Sequence, residues 1–270
     1  MNTTRPSSHL LSASWALAIR ELRRFFRQRS RIVGAIGQPI VFWVVFGAGL
    51  GASFQAPAWA GALERPLSYQ EYFLPGIAVL IVLFTAIFAT ITVIEDRKEG
   101  FLQGVLVSPV PRAAIALGKI LGGATLGLGL AVIFLALAPF AGISLGLGNV
   151  MMGLGVLALL AIAVTGLGFV LAWLMDSAAG YHGIMMLFLM PMLLLSGAFF
   201  PIEQAHWLIS WIRHINPMTY GLGALRHALH DAAPGCPSFM VCMIGTTVFA
   251  VATFALGTYV VTRRSARDAA

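Results

Sequence analysis

Acids and bases crowd into one stretch of this chain, Glu95 to Lys119. Glu95, Asp96 and Glu99 supply carboxylates, and Arg97, Lys98, Arg112 and Lys119 supply cations. Between them Phe101, Leu102, Val105 and Leu106 recur at helical spacing and make a short apolar face. Pro109 and Pro111 end it, because the residue before a proline avoids the helical region. Long apolar runs border the stretch on both sides. Charges of both signs beside a short amphipathic turn are binding chemistry rather than bond-making chemistry. They describe a docking surface for a soluble partner. A helix lying passively on a membrane is the plainer reading, but it does not need such dense charge.

Bond-making sets are absent elsewhere. The phosphate-binding pattern G-x-x-x-x-G-K-[ST] is not met: Gly118-Lys119 is followed by Ile120, and Ala113 stands where the first glycine would be. No Ser/His/Asp arrangement is evident. His227, His230 and Asp231 could hold a metal at helical spacing, but a solvated helix face accounts for them, and no metal is expected. Cys236 and Cys242 form no metal spacing. A short local bridge between them stays open, although the intervening helix would hold them apart.

The elements that position these residues follow from composition. The chain of 270 residues is 59% hydrophobic and 10% charged, against about 25% charged in soluble domains. So much apolar surface requires lipid as solvent. A spanning helix needs roughly 20 apolar residues. Charge-free runs lie at Arg31–Glu64, Glu71–Glu95, Lys119–Asp176, Asp176–Glu203 and Asp231–Arg263. The third run is long enough for two helices and breaks near Pro139–Gly142 and Gly146–Asn149. The expectation is an all-α membrane protein of six spans. They are 32–51, a second entered through Tyr72-Phe73-Leu74-Pro75-Gly76, 116–137, 151–175, 181–200 and 239–261. With both termini inside, only Arg65, Arg213 and Arg226 of the 17 Lys and Arg residues fall outside, as the positive-inside rule requires. The net charge of +7 is therefore topology, not a nucleic-acid footprint.

Residues 1–9 are polar and expected to be disordered. From Leu10 the pattern turns helical. Leu11, Trp15, Ala18, Leu22, Phe25 and Phe26 share one face, with Arg20, Arg24, Arg27 and Arg31 opposite. This predicts an amphipathic helix in the inner headgroup layer, acting as a stiff elbow or an anchor to anionic lipid. Pro39 allows a kink in the first span, and Pro75 is expected in the tolerant first turn of the second. Thr85, Thr90 and Thr92 are expected to bond the preceding turn. Gly118-x-x-x-Gly122 and Gly123-x-x-x-Gly127 invite close helix packing. Met185, Met186, Met190 and Met192 make the fifth span adaptable. Two short apolar helices meeting at Asn216-Pro217 read as an outer re-entrant hairpin. No span carries an acid or base at its middle, as ion-coupled carriers usually do. The driving energy should enter from outside the chain.

These residues resemble the permeases of ABC-2 type exporters over nearly the whole length. The likeness rests on Gln38-Pro39 with Phe46-Gly47, and on Phe73-Leu74-Pro75-Gly76. It rests also on Glu95…Glu99-Gly100…Leu106…Ser108-Pro109…Arg112…Gly118-Lys119, and on Ser196-Gly197…Phe200-Pro201 leading to Asn216-Pro217…Tyr220…Arg226. Where the family often has Thr-Leu-Glu after the glycine, this chain has Phe101-Leu102-Gln103, which leaves apolar docking through Phe101 and Leu102. The resemblance implies a half-transporter in the cell's inner membrane: a tail and interfacial helix at 1–31, a six-helix domain at 32–262 and a tail at 263–270. It implies pairing with a second permease and with a separate ATP-binding subunit that holds ATP and Mg. This chain itself would hold no cofactor and not be an enzyme. Glu95, Arg97, Glu99, Gly100, Phe101, Leu102, Val105, Leu106, Pro109 and Arg112 would form the coupling region. Pro201, Asn216, Pro217, Tyr220 and Arg226 would belong to an outer gate. Phe42, Thr85, Phe88 and Met186 are candidates for the substrate path. Drugs, lipids, and polysaccharides or their lipid-linked forms are the substrates the resemblance implies, and the Met- and Phe-rich spans tilt the expectation to a hydrophobic or amphipathic one. A scaffold or sensor that regulates an ATPase, and an ion-coupled carrier, are the competing readings.

Overall fold

The computed structural model describes residues 6–51, 54, 67–108, 110–200, 207–230 and 237–267, and every regular element among them is helical. Five helical stretches are long and apolar enough to cross a membrane: Arg29–Leu50, Tyr69–Lys98, Arg112–Phe140, Leu147–Leu174 and Phe239–Arg263. The chain is thus a multi-pass membrane protein. The remaining expected span, 181–200, is the helix Ala178–Leu194 of 17 residues, short of the roughly 20 that cross a bilayer. It ends early because the Ser196 hydroxyl folds back on the Leu193 carbonyl at 2.6 Å and Gly197 takes a positive φ of 89°.

In chain order the helices are α1 (Pro6–Arg27), α2 (Arg29–Ile32), α3 (Gln38–Leu50), α4 (Tyr69–Thr90), α5 (Thr92–Lys98), α6 (Phe101–Val107), α7 (Arg112–Leu135), α8 (Leu147–Leu174), α9 (Ala178–Leu194), α10 (Trp207–Ile215), α11 (Pro217–His230) and α12 (Phe239–Arg267). α4 is the hub. It is apolar on all sides, the pattern of a helix buried all round, and it packs on α3, α7, α8, α9 and α11. Phe73, Leu74, Ile77, Leu80 and Ile81 are fully enclosed. Ser68 caps it, accepting from the Glu71 amide at 3.2 Å. The helix therefore starts earlier than Tyr72, and Pro75 lies inside it rather than in its first turn.

Between α2 and α3 the backbone widens into one π turn, Val33–Gly37. Pro39 lacks an amide hydrogen and its ring crowds the carbonyl four residues back, at Ala35. A π turn accommodates both.

α1 departs from the expected two-faced helix. Its apolar residues divide between two neighbours. Ala18 and Phe25 are buried together with Ser14, Leu17 and Glu21, whereas Leu11, Trp15 and Phe26 are exposed. The buried strip packs along α7. At Gly118 an added Cβ would lie 2.7 Å from both the Leu17 Cβ and the Ser14 carbonyl oxygen, and at Gly122 it would lie 3.2 Å from the Ala18 Cα. The small-residue pair on α7 is thus the seat of α1. Gly118→Leu should lift α1 and cost about 1–3 kcal/mol, lowering the thermal unfolding temperature in detergent. Gly129→Leu, where nothing lies within 4 Å, should leave it unchanged.

Candidate functional site

Four carboxylates and four cations meet where α1, α2, α5 and α7 converge. Asp96 is fully buried and is the centre. Arg20 grips it with two nitrogens at 2.7 and 3.0 Å, Arg24 donates at 2.5 Å, and the Lys119 ammonium donates to its other face. Glu21, also buried, accepts from Lys119 at 2.7 Å, from the Thr92 hydroxyl at 2.8 Å and from Arg20 at 3.1 Å. Glu95 accepts from Arg31 at 2.6 Å and Arg24 at 3.0 Å, and Glu99 from Arg24 at 3.2 Å. Ionised groups survive burial only when paired and fully hydrogen-bonded. Here no side-chain polar atom of Glu21, Asp96 or Lys119 is left without a partner. Desolvation works to discharge Arg20, but its hydrogen bond with Asp96 and the nearby acids outweigh it and raise its pKa.

The knot lies at the ends of the stretches 69–98 and 112–140, which carry a matched set of buried charges there. Glu21 escaped the sequence reading. Its signal was present, since it is the first acid in the chain and stands among Arg20, Arg23, Arg24 and Arg27.

The knot props up α6. The Arg20 guanidinium lies 3.6 Å above the Phe101 ring. Gly100, at φ 78°, starts the helix in a left-handed conformation that favours glycine. Leu102 is only 3% exposed. Leu102 therefore packs inward, and Phe101 lies beneath Arg20. The face left uncovered carries Gln103, Gly104 and Val107, with Val105 and Leu106 half-buried beside it. Val107 is 87% exposed.

The other expected loop residues hold rather than project. Arg97 donates to the Trp173 and Met175 carbonyls at 2.7 and 3.1 Å and to Asp176 at 2.7 Å, closing the end of α8. Cations are favourable at that end of a helix. Arg112 donates to the Thr262 carbonyl on α12 at 3.3 Å. Pro109 lies outside the described residues.

The expected outer residues form a second cluster. Arg226 and the Tyr72 hydroxyl both donate to the Gly197 carbonyl, at 2.5 and 2.8 Å, and the guanidinium lies 4.5 Å from the Tyr72 ring centre. Asn216 donates to the Met192 carbonyl at 2.6 Å, and its side-chain oxygen accepts from the Met218 amide, so it joins α9 to the start of α11 beside Pro217. Tyr220 donates to the His214 carbonyl at 2.6 Å, closing the elbow between α10 and α11. α11 runs along α8, with Gly221 against Leu160 and Gly153 against Leu225 and Leu229. Pro201 lies outside the described residues.

The expected path residues lie in different local surroundings. Thr85 is fully enclosed and donates to the Ile81 carbonyl of its own helix at 2.7 Å, which removes it from an open lining. Thr90 does the same toward Ala86 at 2.6 Å. Among the described residues Phe42 pairs with Phe46, and Phe88 with Phe84. Met186 packs at the core margin. The His227 imidazole lies 3.0 Å from the Pro237 carbonyl, while Asp231 and Cys236 fall outside the described residues. Cys242 is buried, with its thiol 3.4 Å from the Pro237 carbonyl.

A helical bundle with a hub span, a charged knot at one end and a propped short helix beside it is a membrane component rather than an ATP-hydrolysing domain. The family model described as ABC-2 type transporter matches residues 12–230. The chain belongs to that family, whose members are the membrane components of ABC transporters and work with an ABC ATPase. It is similar to Nodulation protein J of Sinorhizobium fredii (strain NBRC 101917 / NGR234), 25% identical over 86% of each chain. Nodulation protein J of Rhizobium leguminosarum bv. viciae is 26% identical over 87% of this chain and 88% of its own. A protein of Cyanophora paradoxa named as transport permease ycf38 is 27% identical over 76% of this chain and 71% of its own.

Lys119→Met would remove one of the two cations, Lys119 and Arg20, that Asp96 and Glu21 share. Breaking such a buried pair costs about 3–5 kcal/mol, read as a fall in thermal unfolding temperature in detergent. Combining it with Glu21→Gln should recover part of the loss in a double-mutant cycle.

Proposed function

We propose that this chain is the permease subunit of an ATP-driven exporter in the inner (cytoplasmic) membrane, with both termini on the cytoplasmic side. Two such subunits pair, each with six membrane-crossing helices, α9 being the short fifth. A separate ATP-binding subunit, holding ATP and Mg, drives each. The cargo is hydrophobic or amphipathic: a drug, a lipid or a lipid-linked glycan. The family supports the class, and the relative named as a transport permease supports transport as the activity.

The observation that carries the reading is α6. It is a short helix standing on a rigid charged base, with an uncovered face of Gln103, Gly104 and Val107 beside half-buried Val105 and Leu106. Seated in the ATPase, it would receive motion. Arg20 and Asp96 would pass that motion to α1, Lys119 to α7, and Arg97 to the end of α8. At the far end, Tyr72, Asn216 and Arg226 hold α4, α9 and α11 to one another. In the transport reading they form the outer gate, and α10 with α11 is the re-entrant hairpin.

Val107→Asp and Leu106→Asp should each abolish co-purification of the ATP-binding subunit from the native host, and Val107→Asp should leave the unfolding temperature within about 1 °C of the parent, as expected of a surface change. Leu102→Asp should instead reduce the yield of folded protein, because it buries an unpaired charge. Undiminished co-purification with both Val107→Asp and Leu106→Asp would refute α6 as the coupling helix.

A further inference from the structure

The charged knot leaves two arginines over. Arg20, Arg24, Arg31 and Lys119 are matched by Glu21, Glu95, Asp96 and Glu99. Arg23 and Arg27, one helical turn apart on α1, are exposed and form no ion pair among the described residues. Both line a cavity of about 650 Å³, together with Arg20, Arg24, Gln28 and Glu99. We infer that this cavity binds a phosphate-bearing anion whose headgroup also carries a hydrogen-bond donor, such as the phosphodiester of an anionic glycerophospholipid.

Three observations converge on that chemistry. The first is charge: the surplus at the cavity is the pair of guanidiniums, whose forked donors suit phosphate oxygens. Arg20 and Arg24 are already fixed by Asp96, so the wall is pre-shaped and little ordering remains on binding. The second is Gln28, whose Oε1 is buried without a hydrogen-bond partner. A ligand that brings a hydrogen-bond donor would satisfy it. A glycerol hydroxyl or a protonated phosphate does offer one. The third is the neighbourhood: Ile19 and Ala16 also line the cavity, and Ile19 adjoins the uncovered apolar side of α1 with Trp15 and Phe26. A headgroup can sit in the cavity while its chains follow that strip.

The test is native mass spectrometry of the full-length chain in detergent, titrated with phosphatidylglycerol, phosphatidylcholine and inorganic phosphate. Phosphatidylglycerol should bind more tightly than phosphatidylcholine. Combining Arg23→Gln with Arg27→Gln should weaken phosphatidylglycerol binding about twentyfold, with an unchanged melting temperature. Arg263→Gln, an exposed arginine near the end of α12, should change it by less than about twofold. Displacement of the lipid by inorganic phosphate would make the phosphate group alone the ligand, and resistance to displacement would make it the lipid. Either result supports the site. Equal loss in the Arg263→Gln control, or lipid affinity unaffected by the double variant, would overturn it. So would loss of a co-purifying ATPase with lipid affinity intact, because the arginines would then serve the protein partner.

Discussion

The buried contact of Asp96 with Arg20, Arg24 and Lys119 is the constraint on which the rest depends. A carboxylate at full burial is tolerated only with its oxygens saturated by donors. Those donors come from two other helices, so α1, α5 and α7 cannot move independently without exposing an unpaired charge. The small residues of α7 let α1 approach closely enough for this to happen. Packing and electrostatics enforce each other: remove the glycines and the ions separate, remove the cations and Glu21 is left as an unpaired charge in the packed face of α1.

From that base the behaviour of the 95–112 region follows. Its charges are not a free fringe for a partner. They are joints that fasten the segments on either side of α6: α5 to α1 and to the end of α8, and the start of α7 to the end of α12. What faces outward is a small, weakly polar patch at Gln103, Gly104 and Val107. A rigidly mounted patch is suited to receiving mechanical displacement, because little of the motion is lost in flexing the mount. The arginines of α1 that the joints do not use are then available for a different ligand.

The opposite end relies on another physical device. Arg226 is buried beside the Tyr72 ring and the Gly197 carbonyl. A carbonyl and a ring hold a guanidinium less firmly than a carboxylate does. One end of the bundle is thus pinned by matched full charges, and at the other Arg226 and Tyr72 hold the turn around Gly197.

Much was legible in order along the chain. Apolar runs between charges determine membrane-length helices because lipid admits no other backbone. The proline at 39, the Asn216-Pro217 break and the glycine seat on α7 are local features, and their effects appear where local rules place them. The resemblance motifs, likewise, are strings. The sequence by itself could not decide which face of α1 or α6 is covered. Apolar residues of α1 point both at α7 and away from it, and a helical period alone does not distinguish the two. Nor could it pair Glu21 with Lys119 or Asp96 with Arg20, since those partners lie far apart in the chain and meet only once α1 docks on α7. Leu102 looked like a docking residue for the same reason. Hydrophobicity marks a residue for burial, and only the tertiary structure decides whether its own chain or another protein buries it.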